Sequence, residues 1–400
     1  MNKIKVLEVI GDSTLSGAPR HLLSLVKGLN KKRFDITCVC PPGPLAGELE
    51  EINGVDVEII KMHSKWDFGV VRKIRKIISH LSSQSSSLIV HCHGMRGGYL
   101  GRLACIVPKD KAPKVIYTEH LWTFEYKLKN PFSNFFQLCG LWFLDLFTNK
   151  TIAVSKAVAV FLTAKNITRP SKIEIIYNGV KAQEKRKKKK EKISVKDSEF
   201  TLGFVGSLNK QKGIEYLLRA LPEVSSKLTF AQRASAAKAE SQNLKLIIVG
   251  EGEEKENLIN LSKKLKIDKQ IKFLGMIDDL SSIYPTLDIY VQPSVAESFG
   301  ISALEALSFG VPVVASAVGG LPELLNGVSD KSDFKPYQLT KCGVLVLPQN
   351  AIALSLALAK ILKNDKLRKK MSAEAIKKAN QFSLDKMIDE TENLYESILA

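Results

Sequence analysis

Strand-like apolar runs alternate with helical patterns along nearly the whole chain, and the alternation starts twice. In the first half, residues 5–10, 34–40, 55–60, 87–92, 114–118 and 151–154 read as strands. Residues 19–29 place Leu22, Leu25, Val26 and Leu29 at helical spacing, and 97–106 reads as another helix. A basic run, 184–196, interrupts the pattern. Then strands at 200–205, 245–249, 271–274, 289–292, 311–315 and 343–347 alternate with helices at 213–221, 253–265 and 300–308. Strands separated by helices pair in parallel and are covered on both faces, so the predicted class is α/β with two doubly wound domains. Four hundred residues suit two domains of about 100–200 residues each. The predicted boundaries are 1–183, a linker at 184–196, 197–380, and a last helix within 381–400 that packs back toward the first domain. That helix is amphipathic through Met387, Thr391, Leu394, Tyr395 and Ile398. Residues 225–242 and 328–341 read as surface insertions.

No apolar run reaches the roughly 20 residues of a membrane span. The longest, 134–147, contains Asp145. The N-terminus enters a strand pattern directly, without the features of a signal peptide. Six cysteines, none spaced C-x-x-C, suit a reducing compartment, so a cytoplasmic location is expected. The net charge of +18 is uneven. Residues 1–183 hold 26 Lys/Arg against 14 Asp/Glu, residues 184–196 hold 8 against 2, and residues 197–400 hold 25 of each. A basic first half suggests a polyanionic partner. Nucleic acid is disfavoured, because no reader module accompanies the charge.

Three loops between strand and helix carry candidate chemistry. Gly11 to Pro19 is rich in small residues, which let backbone N–H groups approach a phosphate at a helix start. Gly206 to Gly213 holds Lys210 and Lys212. The most informative segment is Pro293 to Ala306, with Glu297 before a helix and Glu305 within it. Eight residues advance a helix by about 12 Å. The two carboxylates therefore grip different parts of one extended ligand rather than share a proton.

These residues resemble the retaining glycosyltransferases of family 4, of GT-B fold. The resemblance runs through Gly203-Phe204-Val205-Gly206, Lys212-Gly213, Val249-Gly250-Glu251-Gly252, Phe273-Leu274-Gly275, the E-x7-E pair Glu297 and Glu305, Val318-Gly319-Gly320-Leu321-Pro322-Glu323 and Gly343-Val344-Leu345-Val346. The first half matches at Gly17-Ala18-Pro19, Ala153-Val154-Ser155 and Tyr177-Asn178-Gly179-Val180. It implies two Rossmann-like domains facing an interdomain cleft, and transfer of a sugar from a UDP- or GDP-sugar to a glycan or lipid-linked acceptor. It also implies roles. Glu297 bonds the donor sugar, Glu305 holds the ribose, and Lys212 neutralises the diphosphate. Gly17 and the backbone at Phe299, Gly300 and Ile301 approach phosphates and sugar. His120 stands for the histidine that meets the reacting sugar, with His93 a second contact and His91 structural. Where the family has arginine after Gly206, this chain has Ser207, so the diphosphate rests on Lys212 with Lys210 or Arg20 as substitutes.

The implied activity is of hexosyltransferase type, in cell-surface polysaccharide or glycolipid synthesis. No cofactor or metal is expected, and no D-x-D dyad suggests one. A nucleotide-sugar-binding protein with weak transfer is the alternative. Aromatics between Trp122 and Phe143 either form core or, beside Lys127 and Lys129, meet an anionic membrane on its inner face.

Overall fold

The computed structural model describes residues 3–108, 112–126, 131–181, 199–233, 243–277, 279–328 and 336–400. The basic linker and much of both predicted insertions lie outside them, as do Lys127 and Lys129. The chain divides into two units, Met1–Gly179 with Leu384–Ala400, and Val180–Ser383.

The first unit is built on seven strands, β1 (Ile4–Ile10), β2 (Phe34–Cys40), β3 (Val55–Ile59), β4 (Leu88–His93), β5 (Lys114–Glu119), β6 (Lys150–Ala153) and β7 (Ile173–Ile175). They run parallel in the order β3-β2-β1-β4-β5-β6-β7. Between them lie α1 (Gly17–Gly28), α2 (Pro44–Glu50), α3 (Phe68–Gln84), α4 (Gly94–Ala104), α5 (Pro131–Asp145) and α6 (Lys156–Ala164). Asp67 and Ser155 cap α3 and α6, accepting from the Val70 and Val158 N–H groups. All six residues of β4 are buried, as a strand covered on both faces requires.

The second unit repeats the plan with β8 (Glu199–Val205), β9 (Asn243–Val249), β10 (Ile271–Phe273), β11 (Ile289–Gln292), β12 (Val313–Ser316), β13 (Tyr337–Leu339) and β14 (Gly343–Val346), ordered β10-β9-β8-β11-β12-β14-β13. Its helices are α7 (Ile214–Arg233), α8 (Lys255–Lys264), α9 (Ile301–Ser308), α10 (Leu321–Leu325), α11 (Ala351–Leu362) and α12 (Asp365–Ala379). Both predicted insertions need correction. The first begins inside α7, which runs through Pro222 because Leu217, Leu218, Leu221, Val224 and Leu228 keep one buried stripe across it. The second ends in β13, which pairs antiparallel with β14.

The last helix, α13 (Leu384–Ser397), belongs to the first unit. Met387, Ile388, Leu394 and Tyr395 enter the core around Val6, Leu22, Leu25 and Phe34. Glu392 accepts from the Asn30 N–H and from Arg33, each at 2.8 Å. Among the aromatics, Trp122 is buried, whereas Phe132, Phe135, Phe136, Trp142 and Phe143 are exposed on α5. No helix of the described residues is long and apolar enough to cross a membrane.

All three tryptophans (66, 122 and 142) lie in the first unit, so their fluorescence reports its unfolding. Met387→Ala is expected to lower its stability in urea by about 2–5 kcal/mol, the cost of a buried methionine cut to alanine. The exposed Asp389→Ala should change it by less than about 0.5 kcal/mol. Equal small effects would mean that α13 adds nothing to that core.

Candidate functional site

β8 and β11 are neighbours at the point where strand order reverses in the second sheet. Open α/β sheets bind ligands at strand C-termini beside such a switch point. After β8 the chain makes one 3₁₀ turn over Lys210–Lys212. The Asn209 side chain caps it, accepting from the Lys212 N–H at 3.2 Å. Gly213 closes it at φ 62°, where a Cβ would lie 2.2 Å from the Pro293 carbonyl oxygen. Only glycine lets this turn rest on the loop after β11. There Val295 and Ala296 donate their N–H groups to the Gln211 carbonyl at 2.7 and 3.3 Å.

This packing brings Lys212 Nζ to 2.7 Å from Glu297 Oε2. Gln292 Nε2 and Ser294 Oγ donate to the same oxygen at 3.0 and 3.2 Å. Tyr290, Gln292 and Ser294 are alternate residues, so they share one face of the chain as it leaves β11. Burial pushes the Tyr290 phenol up and keeps it protonated. Its hydroxyl lies 2.6 Å from Gln292 Oε1, which turns the amide nitrogen toward Glu297. Beyond Glu297, Phe299 is buried and Gly300 turns at φ 98° into α9. The N-cap residue of α9 is Gly300, which has no side chain to cap it, and a helix start of this kind favours an anion. Glu305, within α9, accepts from the Tyr284 hydroxyl at 2.7 Å.

The first unit gathers a second cluster at its own switch point, between β1 and β4. Glu8 on β1 pairs in register with His91 and is fully buried. Tyr395 donates its hydroxyl hydrogen to Glu8 Oε1 at 2.8 Å. His91 Nδ1, 2.6 Å from that hydroxyl, is then the donor to it, and its Nε2 accepts from Thr118 at 2.6 Å. His93 donates from Nε2 to Glu8 Oε2 at 2.7 Å. That fixes its tautomer and turns the Nδ1 lone pair toward His120 Nε2, 3.3 Å away. Burial alone would raise Glu8, but the charges and hydrogen bonds of His91 and His93 hold it well below the usual carboxylate range. Burial, with the charge of His91, lowers His93 to about 4. Burial and the neighbouring histidines lower His21 to about 3, and push His120 well below the usual imidazole range.

Of the residues singled out in the sequence, Lys212 and Glu297 meet directly, and Phe299, Gly300, Ile301 and Glu305 continue from Glu297 along one segment. Ser207 is half-buried at the base of the lysine turn and Lys210 is exposed on it. His93 and His120 meet. Gly17 opens α1, with nothing within 4 Å of where a Cβ would stand, and Arg20 follows one turn later. Sequence reasoning missed Tyr290, Gln292, Ser294, Glu8, His21 and Tyr395. Alternating polar residues at the end of an apolar strand marked the first three. Glu8, His21 and Tyr395 come from distant parts of the chain, and only folding joins them.

Residues 15–184 match the family model Glycosyltransferase Family 4, and residues 185–378 match Glycosyl transferases group 1. The chain belongs to the family 4 glycosyltransferases. This transferase is 27% identical to an uncharacterised glycosyltransferase of Methanocaldococcus jannaschii, over 96% of this chain and 94% of that one. It is 26% identical to the Escherichia coli UDP-Gal:alpha-D-GlcNAc-diphosphoundecaprenol alpha-1,3-galactosyltransferase, over 98% of this chain and 97% of that one. Among solved structures, Anabaena HepE in complex with UDP matches it with a TM-score of 0.76 at 19% identity, over 99% of this chain and 100% of that one. The fold is GT-B, with two Rossmann-like domains.

In this transferase Gly213→Ala forces a Cβ against Pro293 at a left-handed φ. It should destabilise the second unit by about 1–3 kcal/mol, read as a lower unfolding midpoint by circular dichroism. An unchanged midpoint would show that the turn relaxes freely.

Proposed function

We propose that the enzyme transfers a sugar with retention of configuration, from a uridine diphosphate sugar to a hydroxyl of a lipid-linked or glycan acceptor in cell-surface polysaccharide synthesis. The Lys212–Glu297 pair at the switch point of the second sheet carries this reading. A diphosphate is a stronger partner for Lys212 than one carboxylate, so donor binding draws the ammonium away. Glu297, still held by Gln292 and Ser294, then accepts from a hydroxyl of the donor sugar. Lys212 and the first N–H groups of α9 stabilise the charge that grows on the leaving diphosphate. The acceptor attacks from the leaving-group face, so no enzyme nucleophile is needed. Glu305 holds the ribose. The cation this chemistry needs is a lysine, and no metal is assigned to the transfer. His120 and His93 are the first unit's candidates for contact with sugar or acceptor. The diphosphoundecaprenol-linked acceptor and UDP-galactose donor named for the E. coli relative support the lipid-linked and uridine choices.

We place the enzyme in the cytoplasm, on the inner face of an anionic membrane. Supporting this are the excess positive charge before residue 197 and the exposed face of α5, with Trp66 and Phe68 exposed in the same unit. Aromatics suit the headgroup boundary, and each nearby lysine or arginine adds about 1 kcal/mol.

Lys212→Ala and Glu297→Ala should each lower kcat by about 100-fold or more with the fold intact, since both act mainly in the transition state. Glu305→Gln should weaken UDP binding. Near-wild-type turnover in the first two variants would sink the assignment. In vesicle sedimentation, binding should require anionic lipid, fall at high salt and weaken in Phe136→Glu. Equal binding to neutral and anionic vesicles, or none, would leave no role for the membrane.

A further inference from the structure

Three histidines from three elements converge in the first unit: His21 on α1, His93 at the end of β4, and His120 just after β5. One nitrogen of each lies within 4.8 Å of the other two. We infer that His21, His93 and His120 form a binding site for a divalent first-row cation of the zinc type. The inference goes beyond the transferase reading and does not depend on it.

Four observations carry it. First, His93 Nδ1 and His120 Nε2 are 3.3 Å apart. Metal–nitrogen bonds of about 2.0–2.1 Å at a tetrahedral angle set their two nitrogens about 3.3–3.4 Å apart. Second, the buried His21 ring interacts with the Asn178 side chain, whose Oδ1 is buried as well, and an oxygen that holds one ring N–H leaves the other imidazole nitrogen as a metal ligand. The His21 ring stands edge-on to His120, with centroids 4.8 Å apart, and 5.7 Å from His93. Third, Glu8 holds the His93 Nε2–H at 2.7 Å, so the lone pair is already on Nδ1. Carboxylate–histidine–metal triads use this arrangement to orient the ligand and raise its basicity. Fourth, His120 is only partly buried, so a cation has a way in and a water can complete the tetrahedron. In the cation-free protein His120 Nε2–H donates to His93 Nδ1, and with Nε2 as ligand the His120 proton moves to Nδ1. The second three-residue group nearby, Glu8, His91 and His93, is consumed by its own hydrogen bonds and offers no comparable site.

Three neutral imidazoles select zinc, cobalt, nickel or copper over magnesium and calcium, which prefer oxygen. Under the transferase reading, occupancy engages His93 and His120, the residues proposed above for contact with sugar or acceptor, and the cation then blocks transfer rather than taking part in it.

The test is titration of the chelator-treated full chain with Co2+, in a Cys139→Ser background that removes the exposed thiol. One equivalent should bind with the intense visible absorption of four-coordinate Co2+, and one equivalent of Zn2+ should displace it. His21→Ala should weaken binding at least tenfold. If that variant fails to fold, His120→Ala, at the partly exposed ring, serves in its place. Absence of the four-coordinate spectrum in the Cys139→Ser protein, or an affinity unchanged in a folded histidine variant, would overturn the proposal.

Discussion

A parallel strand buried on both faces has almost no room for a polar side chain until the chain leaves the sheet. Both units obey that constraint, and it places their chemistry. At the centre of each sheet the strand order reverses, between β1 and β4 and again between β8 and β11. Loops from adjacent strands diverge there and leave backbone and side chains open to a ligand. Lys212 and Glu297 sit in the loops that follow β8 and β11, and His93 at the end of β4. The repeated architecture thus explains why two unrelated polar clusters occupy equivalent positions in two different sheets.

Glu8 is the exception that organises the first unit. A carboxylate without exposed surface costs several kcal/mol unless it is paired and hydrogen-bonded. Its partners come from β4 and, through Tyr395, from α13, nearly four hundred residues away. The C-terminal helix is therefore both hydrophobic cover for the sheet and a hydrogen-bond donor to it. Through Glu8 it also sets the tautomer of His93. The second unit uses a neutral version of the same device, with Tyr290 orienting Gln292 and Gln292 bonding Glu297.

The alternation of apolar runs was enough to read two doubly wound domains, because strand and helix periods differ and burial enforces both. Spacing after an apolar strand was enough to single out Glu297 and Glu305, whereas Lys212 was singled out by the family resemblance. Reading failed where local cues conflicted with packing. Pro222 and the serines after it suggest an end to α7, but a continuous buried stripe through Leu228 carries the helix onward. The segment around Tyr337 is too short for period-two alternation to show, and pairing with β14 makes it a strand.

What the sequence determined by itself was the fold class, from patterns between residues close in the chain, and the family, from the order of short motifs along nearly the whole chain. Only tertiary structure decided which residues meet. The Lys212–Glu297 contact spans 85 positions, and the Tyr395–Glu8 bond spans 387. Distances of that kind are set by strand order and by the close approach that Gly213 permits. No periodicity records them, because they depend on where whole elements pack rather than on the spacing within any one of them.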